Sequence, residues 1–222
     1  MKLYFSPLSC SMATRISLYE AGGAAEYEEV DPKTKKTLQG RDFLAINPLG
    51  LVPVLEMDDG AVLSENAAIL QFVAERFPAS ELAPSGGASR LREWLSFIGT
   101  ELHKGLFVPL LDKTAPEGAK SYALSKADSR LARLASALEA REFLLDGFSV
   151  ADAYLFTVLN WCAVTPVQLQ VWPAIARYHR RIAERPAVAR AFEEEKLLYG
   201  RQLQRHGQLD AATASALGIA PA

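Results

Sequence analysis

The chain has 222 residues, half of them hydrophobic and 23% charged, a balance that builds packed cores and excludes an intrinsically disordered protein. Its formal net charge of -2 leaves no general field for holding nucleic acid or an anionic membrane surface. At this length one large or two modest domains are expected.

In chain order, "KLYF" (2–5) reads as a strand, and "CSMATRISLYEAGG" as a helix with Met12, Ile16 and Tyr19 on one stripe, stopped at Gly22-Gly23. "EYEEVD" (26–31) alternates as a second strand. "TLQGRDFLAINPLG" reads as a short irregular helix ended by Asn47-Pro48 and Gly50. "LVPVLEM" and "AVLS" flank Asp58-Asp59-Gly60, a hairpin signal in which glycine supplies positive φ. "SENAAILQFVAERFP" is helical and halts at Pro78. The sum is βαβ followed by ββα, a small α/β domain over 1–77. The Gly/Ser/Pro-rich stretch that follows predicts a linker over 78–88.

Everything beyond the linker reads as helical. "RLREWLSFIGTELHKGLF" carries Leu91, Trp94, Leu95, Ile98 and Leu102 at 3-4 spacing, and "KADSRLARLASALEAREFLL" and "SVADAYLFTVLNWCAV" repeat the pattern. Ser149 and Asp152 have capping-box spacing at the start of the last of these, and Cys162 reads as a core residue of the same apolar helix. The basic run over 177–190 has helical spacing and reads as a solvated face. An all-helical domain over 89–205 and a flexible tail over 206–222 complete an α/β plus all-α architecture.

Residues 1–15 lack the continuous apolar run of a secretory signal, and no window approaches the ~20 apolar residues of a membrane span. The expectation is a cytoplasmic protein that partners neither nucleic acid nor membrane. Cys10 and Cys162 lie far apart and are not expected to form a disulfide, and the three scattered histidines lack metal-ligand spacing.

Four stretches carry chemistry. In "SPLSCSMATR", Ser9 can cap a helix beginning at Cys10, placing the thiol among unpaired backbone N–H groups that favour a thiolate. Position 13 is Ala, so no resolving thiol is at hand and any exchange at Cys10 needs an external one. In "NPLGLVPVLEM", Pro53 forces an edge position, a bulge or a cis bond, leaving the backbone beside it available to an extended peptide. In "LSENAAI", a helix start with the Asn66 amide suits a carboxylate and Glu65 suits an ammonium group, which together match the head of an amino acid; ordinary capping is the alternative. In "GTELHKGLF", Gly99, His103 and Phe107 recur at i, i+4 and i+8 beside Thr100 and Lys104, a face able to line a cleft against the first domain.

With these stretches in hand, the sequence resembles the cytosolic glutathione transferase family, and within it the bacterial beta class. The resemblance covers about the first 200 residues and rests on "MKLYFSPLSCS", "DPKTKKT", "FLAINPLGLVPVL", "LSENAAI", "WLSFIGTELHKG" and "FSVADAYLFTVLNW". It implies a thioredoxin-like N-terminal domain followed by an all-helical C-terminal domain, and a homodimer. It further implies glutathione as co-substrate, no metal, and a small hydrophobic electrophile as second substrate. Cys10 would stand beside the glutathione thiol, able to form a mixed disulfide with it. Val52, with Pro53 cis, would pair with the cysteinyl unit, Glu65 and Asn66 would hold the γ-glutamyl end, and Lys35 would contact the peptide by charge. His103, as a catalytic group beside Cys10, and Lys104 would reach across from the helical domain. The chain departs from the class pattern at Phe5, where tyrosine is common, and at Asn66, where serine is common. The diverging "KGLFVPLLDKTAPEG" would line the acceptor pocket.

The function expected is glutathione conjugation to small electrophiles, thiol-disulfide exchange through Cys10, or both. The alternatives are a non-catalytic ligand carrier of the same fold and a glutathione-dependent dehalogenase or isomerase.

Overall fold

A computed structural model describes residues 1–84 and 87–218, so residues 85–86 of the expected linker and 219–222 of the expected tail lie outside the described residues. Strands β1 (Lys2–Phe5), β2 (Glu26–Asp31), β3 (Lys36–Thr37), β4 (Val54–Glu56) and β5 (Val62–Ser64) form one sheet in the order β3-β2-β1-β4-β5. β1 and β2 run parallel across the helix α1 (Met12–Glu20), and the other neighbours are antiparallel. The Asp58-Asp59-Gly60 signal is realised as the β4–β5 hairpin, with Gly60 at φ +83°. Helix α2 (Asn66–Arg76) follows, and the irregular segment before β4 holds a single 3-10 turn, Phe43–Ala45, capped by Asp42. The two-residue β3 carries no hydrophobic alternation of its own, and its pairing with β2 and with Asp42 defines it.

The second part is helical: α3 (Ala88–Phe97), a π-helical continuation over Ile98–Phe107, α4 (Val108–Leu111), α5 (Glu117–Ser125), α6 (Ala127–Leu138), α7 (Val150–Leu159), α8 (Pro173–Ala183), α9 (Pro186–Arg205) and α10 (Ala211–Leu217). The predicted stripe of the first of these helices is the buried one, with Leu91, Leu95, Ile98 and Leu102 in the core. The widened π turns bring the Thr100 carbonyl within 2.8 Å of where a Cβ on Gly105 would stand, so glycine is required there. α10, within the stretch expected as a tail, starts on Asp210, whose carboxylate accepts the Thr213 N–H at 2.7 Å.

Helix α1 is the junction of the molecule, packing against α2 of the first part and α7 and α9 of the second. Every residue from Met12 to Leu18 is therefore buried, where the sequence suggested a one-sided stripe. Its polar members bond to other elements or to the helix itself, with Arg15 Nη2 alone left without a partner among the described residues of this helix. Thr14 Oγ1 donates to Asn66, Ser17 Oγ to the Ala13 carbonyl, and the Arg15 guanidinium to Glu195 at 2.9 Å while lying over the Phe5 and Tyr27 rings. One hydrophobic core runs through both parts, from Leu3, Ile16 and Ile69 to Leu102, Leu155 and Val188.

All ten residues of α7 are buried, and its N-terminus is built as the sequence spacing predicted. The Asp152 carboxylate accepts from the Ser149 N–H at 2.9 Å, and also from the Leu144 N–H and the Tyr178 hydroxyl. Replacing a fully buried acceptor with three or more donors strands those donors. Asp152→Ala is expected to lower unfolding free energy by about 3 kcal/mol, read as a fall in the urea midpoint at unchanged slope.

Candidate active site

The loop between β1 and α1 carries Cys10. Successive i→i+3 bonds, Ser9 N–H to Ser6, Met12 N–H to Ser9 and Ala13 N–H to Cys10, wind residues 6–13 into a tight turn, so α1 begins at Met12 and not at Cys10. Ser11 occupies the N-cap position, but its hydroxyl turns back to Ser6 and Ser9; Ser9 Oγ accepts only the Ser11 N–H. The turn thus engages the Ser11, Met12 and Ala13 N–H groups, which were expected to surround the thiol. Cys10 Sγ is half-buried and donates to the Val52 carbonyl at 3.3 Å. Burial pushes the thiol up to about 12, opposed chiefly by the Lys104 ammonium. Burial here works against the thiolate expected from the sequence.

The Val52–Pro53 bond is cis. β4 is an interior strand between β1 and β5, so an edge position is ruled out for Pro53, and the backbone available to a peptide is the segment ahead of β4. Glu65, at the N-terminus of α2, has φ +69° and ψ 116°, a conformation costly for a residue with a Cβ, and its side chain makes no cap bond. Asn66 is buried; its Oδ1 accepts from Thr14 Oγ1 at 3.1 Å, and its buried Nδ2 has no partner among the described residues. Capping therefore does not account for this pair: the helix start carries an unshared donor and a strained, exposed acid.

From the helical side, the π-helical segment presents His103 and Lys104. His103 is 7% exposed, with Nδ1 2.7 Å from the Tyr154 hydroxyl and its ring edge-on to Tyr154. Burial, helped by the Lys104 charge, holds the imidazole below 6.5, at about 4, so it is neutral near pH 7. Cys10, Val52, Pro53, Glu65, Asn66, His103 and Lys104 all line one cleft of about 290 Å³ between the two parts. Lys35 stands apart from that lining. It has φ +54°, and its Nζ donates to the Gly50 carbonyl at 3.0 Å.

Residues 9–76 match the glutathione S-transferase N-terminal domain and residues 119–181 the C-terminal domain. The chain belongs to the glutathione S-transferase family. It is 40% identical over 201 residues to glutathione S-transferase GstA of Escherichia coli O157:H7, covering 89% of this chain and 100% of that one. A sphingomonad glutathione S-transferase complexed with glutathione is 43% identical with a TM-score of 0.84, covering 89% of this chain and 100% of that one. The beta-class glutathione S-transferase of Sphingomonas chungbukensis is 41% identical with a TM-score of 0.83, covering 88% and 98%. The sheet with its helices is the thioredoxin-like N-terminal domain of the family, and the helices after it are the C-terminal domain.

Among the lining groups of this transferase that sequence reasoning does not assign to the site are Tyr154 and Asn47. Tyr154 lies on α7, a helix whose sequence reads as a cap followed by apolar core; a phenol hydroxyl in such a helix is the available signal. The helical wall of the cleft comes from Leu95, Ser96, Gly99 and Thr100, upstream of the segment expected to form the acceptor pocket. Phe107 packs into the core against Trp161 and does not share the cleft. Cys162 is half-buried on the 3-10 turn Asn160–Val164 that ends α7, lining a separate cleft with His179. Among the described residues, no group of three or more His, Cys, Asp and Glu could hold a metal, and no helix is long and apolar enough to cross a membrane.

Two outcomes follow from the electrostatics. A histidine held near 4 when folded and 6.5 when unfolded binds fewer protons in the native state, so stability rises from pH 4 to 6.5 and is level above. Comparing wild type with His103→Gln across that window should show a difference in the rise on the order of 3 kcal/mol. Iodoacetamide at pH 8 should alkylate Cys10 roughly a hundredfold or more slowly than the thiol of the unfolded chain, read by intact mass.

Proposed function

We propose that this glutathione S-transferase binds glutathione in the cleft between its two domains and transfers the glutathione sulfur to a small hydrophobic electrophile. The observation that carries the reading is the convergence in one cleft of a thiol, a strained acidic residue, an unshared amide donor and a lysine drawn from three segments distant in sequence. Their chemistry is complementary to the tripeptide. The start of α2 with the Asn66 amide suits the γ-glutamyl carboxylate, and Glu65 suits its ammonium group. The Val52 backbone suits the cysteinyl unit, with Pro53 beside it. Lys35, bonded to the carbonyl of Gly50 between the lining residues Leu49 and Leu51, supplies a cation for the far end of the peptide. The sulfur then lies beside Cys10, His103 and Lys104, and the lysine charge favours its thiolate, the reactive form.

Because burial keeps Cys10 protonated, the nucleophile in conjugation is the glutathione thiolate, and Cys10 contributes a polarisable S–H beside it. Thiol-disulfide exchange is a second reaction of the same site: Cys10 gives up its proton as its sulfur attacks oxidised glutathione, forming a Cys10–glutathione disulfide, breaking the S–S bond and releasing one glutathione, whose sulfur leaves with the electron pair and takes up a proton. The carrier, dehalogenase and isomerase readings are not favoured by the family matches. We infer the functional division as 1–77, 78–88, 89–205 and 206–222, with the protein acting as a cytoplasmic homodimer.

Conjugation to a chloronitroaromatic electrophile is expected to survive Cys10→Ser, whereas the glutathione adduct seen by intact mass after exposure to oxidised glutathione is expected to vanish. Asn66→Ala should raise the KM for glutathione about tenfold with kcat little changed. Wild type that fails to bind glutathione in a calorimeter would overturn the reading.

A further inference from the structure

The bond between His103 and Tyr154 decides what the histidine can do. A neutral imidazole has one N–H and one lone pair, and which nitrogen carries the proton follows from the partner of the other. Nδ1 is engaged with the Tyr154 hydroxyl at 2.7 Å. Tyr154 is 3% exposed and held on the wholly buried α7, so its ring does not follow solvent.

Two arrangements satisfy that distance. In one, Nδ1–H donates to the phenol oxygen, and the phenol proton needs another acceptor. In the other, the phenol donates to Nδ1 and the imidazole proton sits on Nε2. The surroundings favour the second. The phenol oxygen has one hydrogen-bond partner among the described residues, Nδ1, so an Nδ1–H donating to it would leave the buried phenol proton unpaired. Beside the phenol, Gly99 offers no side chain that could accept it; a Cβ there would be 3.7 Å from the phenol oxygen. Among the described residues the acceptor within reach of the phenol proton is Nδ1. Burial and the nearby Cys10 and Glu65 keep Tyr154 un-ionised, well above the ordinary tyrosine value.

We propose that Tyr154 is a positioning residue for the transfer reaction: its hydroxyl fixes His103 as the Nε2–H tautomer, so that His103 meets the sulfur in the cleft as a hydrogen-bond donor and not as a base. This rests on the transferase reading above. No group in the site then takes the glutathione proton through His103; the proton leaves to solvent, and the histidine and Lys104 hold the anion that remains.

The test is nitrogen-15 NMR of the histidine side chains in the full-length protein at pH 7, for wild type, Tyr154→Phe and His103→Gln, the last to assign the signal. The expected result is a pyrrole-type Nε2 and a pyridine-type Nδ1 for His103 in wild type, turning to averaged shifts in Tyr154→Phe. In steady-state assays Tyr154→Phe should lose about tenfold in kcat with the KM for glutathione unchanged within twofold, a split that a merely structural loss would not give. A wild-type Nδ1–H signal, or a tautomer unchanged in Tyr154→Phe, would overturn the proposal, and the wild-type spectrum decides this even if the variant folds poorly. Absence of transfer by wild type with the Nε2–H signal intact would instead overturn the transferase reading, and with it the use of the tautomer in catalysis.

Discussion

The cleft depends on one carboxylate. Glu195 of α9, fully buried, accepts from the Arg15 guanidinium of α1 through one oxygen and from the Leu8 N–H through the other, at 2.9 and 2.7 Å. Leu8 is in the left-handed region at φ +56°, two residues before Cys10, and its carbonyl accepts from the Trp161 indole at 3.0 Å. Both backbone groups of one strained residue in the first domain are thus held by side chains of the second. An unpaired charge at this depth would be severely unfavourable, so the two domains are committed to each other at the point where the thiol loop leaves the sheet.

From that junction the rest of the site follows. Clamping Leu8 sets Cys10 against the Val52 carbonyl. Packing α1 against both α2 and α7 sets Thr14 against Asn66 and brings Tyr154 to the same cleft. The π turns of Ile98–Phe107 then bring His103 onto Tyr154 while leaving Lys104 exposed in the cleft. Electrostatically the site is a contest between burial, which keeps Cys10 and His103 neutral, and a single ammonium group. Lys104 disfavours a proton on either. A site so arranged leaves room for a negative charge that arrives with the substrate.

Much of the fold could be read in one dimension because its causes are local. The Asp58-Asp59-Gly60 hairpin needs only a residue free to take positive φ. The α7 cap needs only Ser149 and Asp152 three apart, and the stripe from Leu91 to Leu102 needs only the helical repeat. The site was legible to the extent that its residues carry unusual chemistry for their setting: a thiol at a strand-helix turn, a proline within a strand, an acid-amide pair at a helix start. Tyr154 escaped because a tyrosine in an apolar helix looks like core, and Lys35 stands outside the cleft lining because a long side chain finds the nearest carbonyl, that of Gly50.

The sequence by itself determined the order of elements, the α/β then all-α architecture and which residue types are available for chemistry, since these rest on periodicity, turn residues and caps that act within a few positions. Only the tertiary structure decided protonation and role. Whether Cys10 is thiol or thiolate turns on how far burial outweighs the Lys104 charge, and whether His103 gives or takes a proton turns on a phenol fifty-one residues away. Such quantities depend on distances across the domain boundary, which no local pattern contains.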